Sequence, residues 1–167
     1  MTYLSKTMIL VAGLALAACT NPDRFANQNN VNLNGSGLSG AASNPASPAY
    51  FQQAIGDRVL FAVDQSTLSP EAQATLDGQA TWLMSNRDFI ATIEGHADEQ
   101  GTREYNLALG ARRANSVQEY LVSRGVAANR LRTVSYGKER PIEICSEEAC
   151  YSKNRRAVTV LAAGLAS

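Results

Sequence analysis

The pattern of apolar and polar positions changes character near residue 50, and from there it is regular enough to predict a folded domain. Arg58 to Val63 (RVLFAV) is rich in β-formers and ends at Asp64, which predicts a first strand. Ser69-Pro70-Glu71 opens a helix, with a capping hydroxyl, a proline in the first turn and an acid at the positive end of the helix dipole. Its inward positions are Ala72, Leu76, Ala80 and Leu83, with Trp82 and Met84 at the edges of that stripe, and it runs to about Asn86. Phe89 to Glu94 predicts a second strand. A polar loop carrying Asp98 follows, then a helical pattern to about Arg124, which Gly125 terminates. A short turn at Ala127 to Arg130, an alternating third strand from Leu131 to Tyr136, a turn at Gly137 to Pro141, a loop from Ile142 to Tyr151 and a fourth strand from Ala157 to Leu161 complete the chain. The order βαβα-β-β predicts an α+β fold, a mixed four-stranded sheet with two main helices on one face.

On a helical wheel, the second helix places Leu107, Ala111, Ala114, Gln118 and Leu121 in one stripe, with Asn106, Gly110, Arg113 and Val117 along its edge. Arg113 therefore borders the core, whereas Arg112 faces solvent. A guanidinium at a core margin needs hydrogen-bond acceptors to offset its desolvation. The acidic loop at the start of the helix offers Asp98. Two readings stay open from the residues alone: Asp98 and Arg113 pair structurally, or they share a cleft suited to a zwitterion.

Upstream, the pattern is of another kind. Lys6 precedes an apolar stretch from Met8 to Ala18 that is too short for a permanent membrane span and resembles a secretory signal peptide over residues 1–18. Leu16-Ala17-Ala18-Cys19 resembles the lipobox of bacterial lipoproteins, in which the cysteine becomes the lipidated N-terminus; an ordinary signal peptide with a chance cysteine is the alternative. Acyl chains contribute about 0.8 kcal/mol per buried methylene, so two or more anchor stably where one does not. Thr20 follows Cys19 where lipoproteins of this kind retained in the inner membrane carry an aspartate, which points to the outer membrane. Residues 19–49, Asn-rich with a Gly/Ser run and closed by Pro45 and Pro48, read as a disordered tether. A flexible coil of that length spans about 30 Å root-mean-square and reaches roughly 100 Å when stretched. The folded domain is then 50–167.

Composition narrows the function. Of 167 residues 45% are hydrophobic, enough for one domain with a sizeable core. Lys plus Arg and Asp plus Glu are 15 each, and without a basic run or an aromatic platform there is no case for nucleic acid. Cys145 and Cys150, in a loop of an exported domain, are candidates for a disulfide, which over so small a loop contributes roughly 2–3 kcal/mol at most; free thiols are the alternative. Zinc would need His96 beside them, and nothing in the sequence places it there. No metal or cofactor is expected.

Several runs in one order carry a resemblance: Glu94-Gly95-His96-Ala97-Asp98-Glu99, Gly101-Thr102, Glu104-Tyr105-Asn106, Arg112-Arg113-Ala114-Asn115, Ser135-Tyr136-Gly137-Lys138-Glu139 and Tyr151-Ser152-Lys153-Asn154-Arg155-Arg156-Ala157-Val158. From about Val59 to Leu161 the chain resembles the OmpA-C-terminal-domain family. The resemblance implies non-covalent binding of peptidoglycan through the meso-diaminopimelate of its stem peptide. Asp98 matches the residue that takes the ammonium, and Arg113 the one that takes the carboxylate bidentately. It further implies a groove that includes Val63 and Asp64 at the end of the first strand, and Asn106 and Leu109 early in the second helix. Val63 stands where several relatives have Phe. Implied partners are the cell wall, the periplasmic β-propeller TolB and the outer membrane through the lipid anchor, in a Tol-Pal system serving envelope integrity and division.

Two other classes compete. His96, Asp98 and Glu99 have the residue types of an acid–base or metal site, but with one histidine and no nucleophile motif an enzyme is not expected, and His96 reads as a satisfied loop residue that orders the turn. A structural lipoprotein without a ligand is the other.

Overall fold

The computed structural model describes residues 42–144 and 146–163. The signal peptide, Cys19, the tether up to residue 41, and Cys145 lie outside the described residues.

Folded contacts begin upstream of Tyr50. Ser47 caps a helical turn, Pro48–Tyr50, which continues as a π-helical turn, Phe51–Gly56, and buries Phe51 completely. The Trp82 indole N–H donates to the Pro45 carbonyl at 2.7 Å, so the last residues of the expected tether are part of the packed unit. Strand β1, Arg58–Leu60, is followed by helix α1, Pro70–Ser85, whose Ser69 hydroxyl accepts from Ala72 N as its sequence predicts. Strand β2, Phe89–His96, leads to helix α2, Arg103–Ser123, capped by Thr102. Strand β3, Leu131–Gly137, helix α3, Glu148–Asn154, and strand β4, Arg156–Ala163, complete the domain. No helix among the described residues is long and apolar enough to cross a membrane.

The sheet order is β1-β4-β2-β3. β2 and β3 are parallel neighbours joined through α2, as a crossover connection requires. β4 enters between β1 and β2, antiparallel to both, so the sheet is mixed. Val59, Ala91, Ile93 and Ala157 from its strands form one core with Leu76, Ala80 and Leu83 of α1 and Ala114, Val117 and Leu121 of α2. Several polar groups in and around this core are satisfied. Gln79 donates to the Gly56 carbonyl at 2.7 Å and accepts from the Thr159 hydroxyl at 2.8 Å, and Arg130 holds the carbonyls of Leu83, Asn86 and Phe89 at the end of α1.

Four details differ from the sequence pattern. β1 is three residues long rather than six, because the chain turns at Ala62–Gln65, closed by Gln65 N donating to the Ala62 carbonyl at 3.3 Å. Trp82 is in the core between Phe51 and Phe89, while its expected companion Met84 is exposed. The expected loop before β4 contains α3, with Cys150 buried. Finally, α2 is rolled on its axis relative to the wheel. Leu107 is exposed, and Asn106, Leu109, Gly110, Arg113 and Val117 are buried together with Ala114 and Leu121 of the expected stripe. Gly95 and Gly110 cause this roll, since they let β2 and α2 meet backbone to backbone.

Candidate functional site

A cleft of about 270 Å³ opens where the ends of β1 and β2 meet the start of α2. It is lined by Val63, Asp64, Asp98, Gln100, Gly101, Tyr105, Asn106 and Leu109. Five of the six expected groove residues are therefore neighbours there. The sixth, Arg113, is not among them.

Val63 and Asp64 occupy the two central positions of the Ala62–Gln65 turn. Asp64 is left-handed, with φ 56°, which an aspartate tolerates better than most residues. The turn aims Val63, more than half exposed, and the Asp64 carboxylate towards the cleft. The Tyr105 hydroxyl on α2 donates to Asp64 Oδ1 across the mouth. That bond to a carboxylate raises the phenol pKa.

On the opposite wall, the loop after β2 is held at several points. Ala97 N donates to the Gly137 carbonyl at 2.8 Å, Lys138 donates to the carbonyls of Glu99 and Gly101, and the Asn106 side chain donates to the Gln100 carbonyl at 2.7 Å. Asp98 Oδ1 accepts from Gln100 N at 3.3 Å, which closes an Asx turn. Tyr151 and Ser146 both donate to the Glu99 carboxylate.

Asp98 and Arg113 do not form an ion pair. The counter-ion of Asp98 is Arg155, whose Nη1 is 3.2 Å from Asp98 Oδ2, both side chains being nearly buried. Arg155 also donates to the Phe61 carbonyl and forms a two-pronged contact with Glu148. Arg113 is fully buried and spends three N–H groups on backbone: Nε on the Gln65 carbonyl at 2.8 Å, Nη1 on the His96 carbonyl at 2.8 Å, and Nη2 on the Ala62 carbonyl at 3.1 Å. Its guanidinium carbon is also 5.2 Å from the centre of the Phe61 ring. It thus grips both ends of the turn that presents Asp64 and ties that turn to the end of β2. Burial lowers its pKa to about 10, against the raising effect of nearby Asp98, and it stays a cation at neutral pH.

His96 also departs from expectation. It is the last residue of β2, 2% exposed, and neither ring nitrogen has a hydrogen-bond partner. Desolvation, helped by Arg156 and Arg140, lowers its pKa to about 4, although Glu94 is 3.7 Å away. It is a neutral core residue beside Tyr136, not a satisfied loop histidine. His96, Asp98 and Glu99 do not converge on one point either: His96 is walled in, Asp98 is paired with Arg155, and Glu99 is bound by Tyr151 and Ser146. Among the described residues no group of three or more His, Cys, Asp and Glu side chains is arranged for a metal.

Cys150 is disulfide-bonded. Its expected partner, Cys145, lies outside the described residues. A larger, mainly apolar hollow of about 620 Å³ lies under Pro45, Tyr50 and Trp82, with Asp77 as its one ionisable side chain besides Tyr50. It lacks the convergent polar groups of the smaller cleft, which is the better site on chemical grounds.

The motif runs contain Tyr105 and Arg155 but assigned them no role. A signal for Arg155 was present: Arg155 and Arg156 stand together at the entry to an apolar strand, where a buried guanidinium must find hydrogen-bond acceptors.

The OmpA family model matches residues 60–155, a stretch that contains every lining residue of the cleft. The chain belongs to the OmpA family. It is 53% identical over 152 residues to the peptidoglycan-associated lipoprotein of Rhizobium meliloti, covering 91% of this chain and 84% of that one. With the protein of the same name from Haemophilus influenzae it shares 41% identity over 158 residues, 90% of this chain and 94% of the other. The crystal structure of the peptidoglycan-associated lipoprotein from Burkholderia pseudomallei superposes with a TM-score of 0.65 at 36% identity, over 73% of this chain and 99% of that chain. The C-terminal domain of Helicobacter pylori MotB, at 21% identity and a TM-score of 0.60 over 64% of this chain and 84% of its own, shares the OmpA-like fold.

Proposed function

We propose that this protein is an envelope lipoprotein whose OmpA domain holds peptidoglycan, without covalent chemistry, in the cleft between Asp64 and Asp98. The observation that carries this reading is the convergence of two carboxylates in one small cleft over a buried guanidinium. The ligand is the diaminopimelate of the stem peptide, which ends in an ammonium and a carboxylate. Its ammonium lies against Asp98, with Asp64 adding to the negative field. Its carboxylate is drawn to Arg113, which has five N–H groups and has committed three of them to carbonyls. Because the Ala62–Gln65 turn hangs on that same arginine, the carboxylate reaches it only as the turn yields. Val63 and Leu109 supply the apolar contact.

In the same reading, Cys19 is acylated and anchors the chain in the outer membrane, the segment that follows it serves as the tether, and the domain faces the periplasm. Binding to the wall and binding to TolB alternate in a Tol-Pal system that supports envelope integrity and division. A membrane-anchored domain on a leash meets the wall at high effective concentration, which suits a weak, reversible clamp.

The test is co-sedimentation of the full chain in detergent with purified peptidoglycan that contains diaminopimelate. Wild type and the distant variant Arg124→Ala should pellet. Asp98→Asn and Asp64→Asn should stay largely in solution while keeping the native circular dichroism. Pelleting unchanged in both carboxylate variants would remove the cleft from consideration.

A further inference from the structure

The Asp98 carboxylate sits beside a buried arginine, and on its own that pair is a poor cation site. Arg155 would cancel the charge that the ligand ammonium needs. The structure contains the counterweight. Arg155 donates through both terminal nitrogens to Glu148 on α3, with Nη1 at 3.2 Å from Glu148 Oε2 and Nη2 on Glu148 Oε1, and that same Nη1 carries the single contact to Asp98 Oδ2. One guanidinium thus lies between two carboxylates, and the fork faces Glu148. The triad has net charge −1. Its free oxygen is Asp98 Oδ1, engaged only by Gln100 N at 3.3 Å, on a residue that lines the cleft.

We propose that Glu148 is a positioning residue for the cleft: by taking the fork of Arg155 from outside, it leaves the negative charge of the Asp98 carboxylate less compensated and available to a cation. This rests on the proposed reading of Asp98 as the ammonium acceptor. Glu148 does not line the cleft and acts only through Arg155. Its own ionisation is secure, because the hydrogen bond from Arg155 lowers its pKa, and the same contact is the main cause that raises the Arg155 pKa. Its place is fixed by α3. Asn154, at the end of that helix, accepts from Ile142 N and Glu143 N and donates to the Glu143 carbonyl, and the buried Cys150 is disulfide-bonded. The segment before β4 therefore tunes the electrostatics of a site it does not touch.

The experiment measures binding of the full chain in detergent to two probes: peptidoglycan containing diaminopimelate, and the same material with its free amines acetylated. Wild type, Glu148→Gln and Glu148→Asp are compared, with thermal unfolding as a check on folding. Because the Glu148 carboxylate is largely exposed, the expected loss in Glu148→Gln is about threefold on the untreated wall, with recovery in Glu148→Asp and no difference between the three proteins on the acetylated wall. Equal binding of wild type and Glu148→Gln to the untreated wall, with both weakened by acetylation, overturns the role of Glu148 and leaves the proposed function standing. An equal loss in Glu148→Gln on both probes also overturns it, since a general structural defect ignores the amine. Wild-type binding that is indifferent to acetylation overturns the assignment of the ammonium to Asp98, and this inference with it.

Discussion

A Cβ placed on Gly95 would lie 1.8 Å from the carbonyl oxygen of Gly110, so the end of β2 and the middle of α2 are in backbone contact. No side chain at position 95 can be accommodated without moving the helix that carries Asn106, Leu109 and Arg113. Gly95→Ala should destabilise the domain by about 3 kcal/mol and disturb the cleft, measured by urea unfolding and wall binding. Gly78→Ala, where the added Cβ meets only the γ2 methyl of Ile55 at 3.2 Å, should stay within about 1 kcal/mol of wild type.

The Asp98–Arg155 pair predicts an asymmetry. Arg155→Gln leaves Asp98 buried without its counter-ion, at a cost of about 3–5 kcal/mol. Asp98→Asn leaves Arg155 still engaged by Glu148 and the Phe61 carbonyl and should cost about 1 kcal/mol. Chemical denaturation of the two variants side by side checks the order. The reverse order would mean that Arg155 depends on Asp98 rather than on Glu148.

Arg113 is a brace for the turn whatever it does to ligand. Arg113→Lys keeps the charge but cannot reach three carbonyls on diverging segments. The expected loss is roughly 3 kcal/mol, accompanied by exchange broadening of the Val63, Asp64 and Gln65 amides in NMR spectra. Sharp, unshifted amides there would contradict the brace.

His96 makes stability depend on acidity. In the unfolded chain its imidazole takes up a proton as pH falls below about 6.5, whereas in the fold it resists protonation down to about 4. Between those values the unfolded state binds more protons. The His96 contribution is therefore fully present above the window and is lost as pH falls through it. Urea unfolding should show a decrease on the order of 1–2 kcal/mol between pH 7.5 and 5, and in His96→Phe this part of the pH dependence should disappear.

The start of α1 was legible because capping is local. Ser69-Pro70-Glu71 carries its signal within one turn, and α1 begins where those residues predict, whereas Thr102 is found as the cap of α2 in the structure. The strand positions, apart from the shortened β1, and the mixed sheet followed from periodicity and element order, whereas the grouping of Val63, Asp64, Asp98, Asn106 and Leu109 in one groove was implied by the family resemblance alone. The phase of α2 did not. A hydropathy wheel ranks Leu107 above Asn106, yet Leu107 is exposed and Asn106 is 1% exposed. The roll of α2 is set by glycines at 95, 110 and 137, which have no hydropathy to weigh.

What the sequence determined alone is the four strands, the two main helices and the chemical types at the cleft, because these are written in residues near one another or in matched motifs. The tertiary structure decided which charge answers which. Arg113 could reach either the carbonyls of Ala62, Gln65 and His96 or the carboxylate of Asp98, and only the closing of the β1 turn over α2 fixes the choice. Arg155 meets Asp98 from 57 residues away because β4 enters the sheet beside β2, bringing the Asp98 loop to the end of α3. Electrostatic pairing is a property of distance in space, and here the strand order β1-β4-β2-β3 sets that distance.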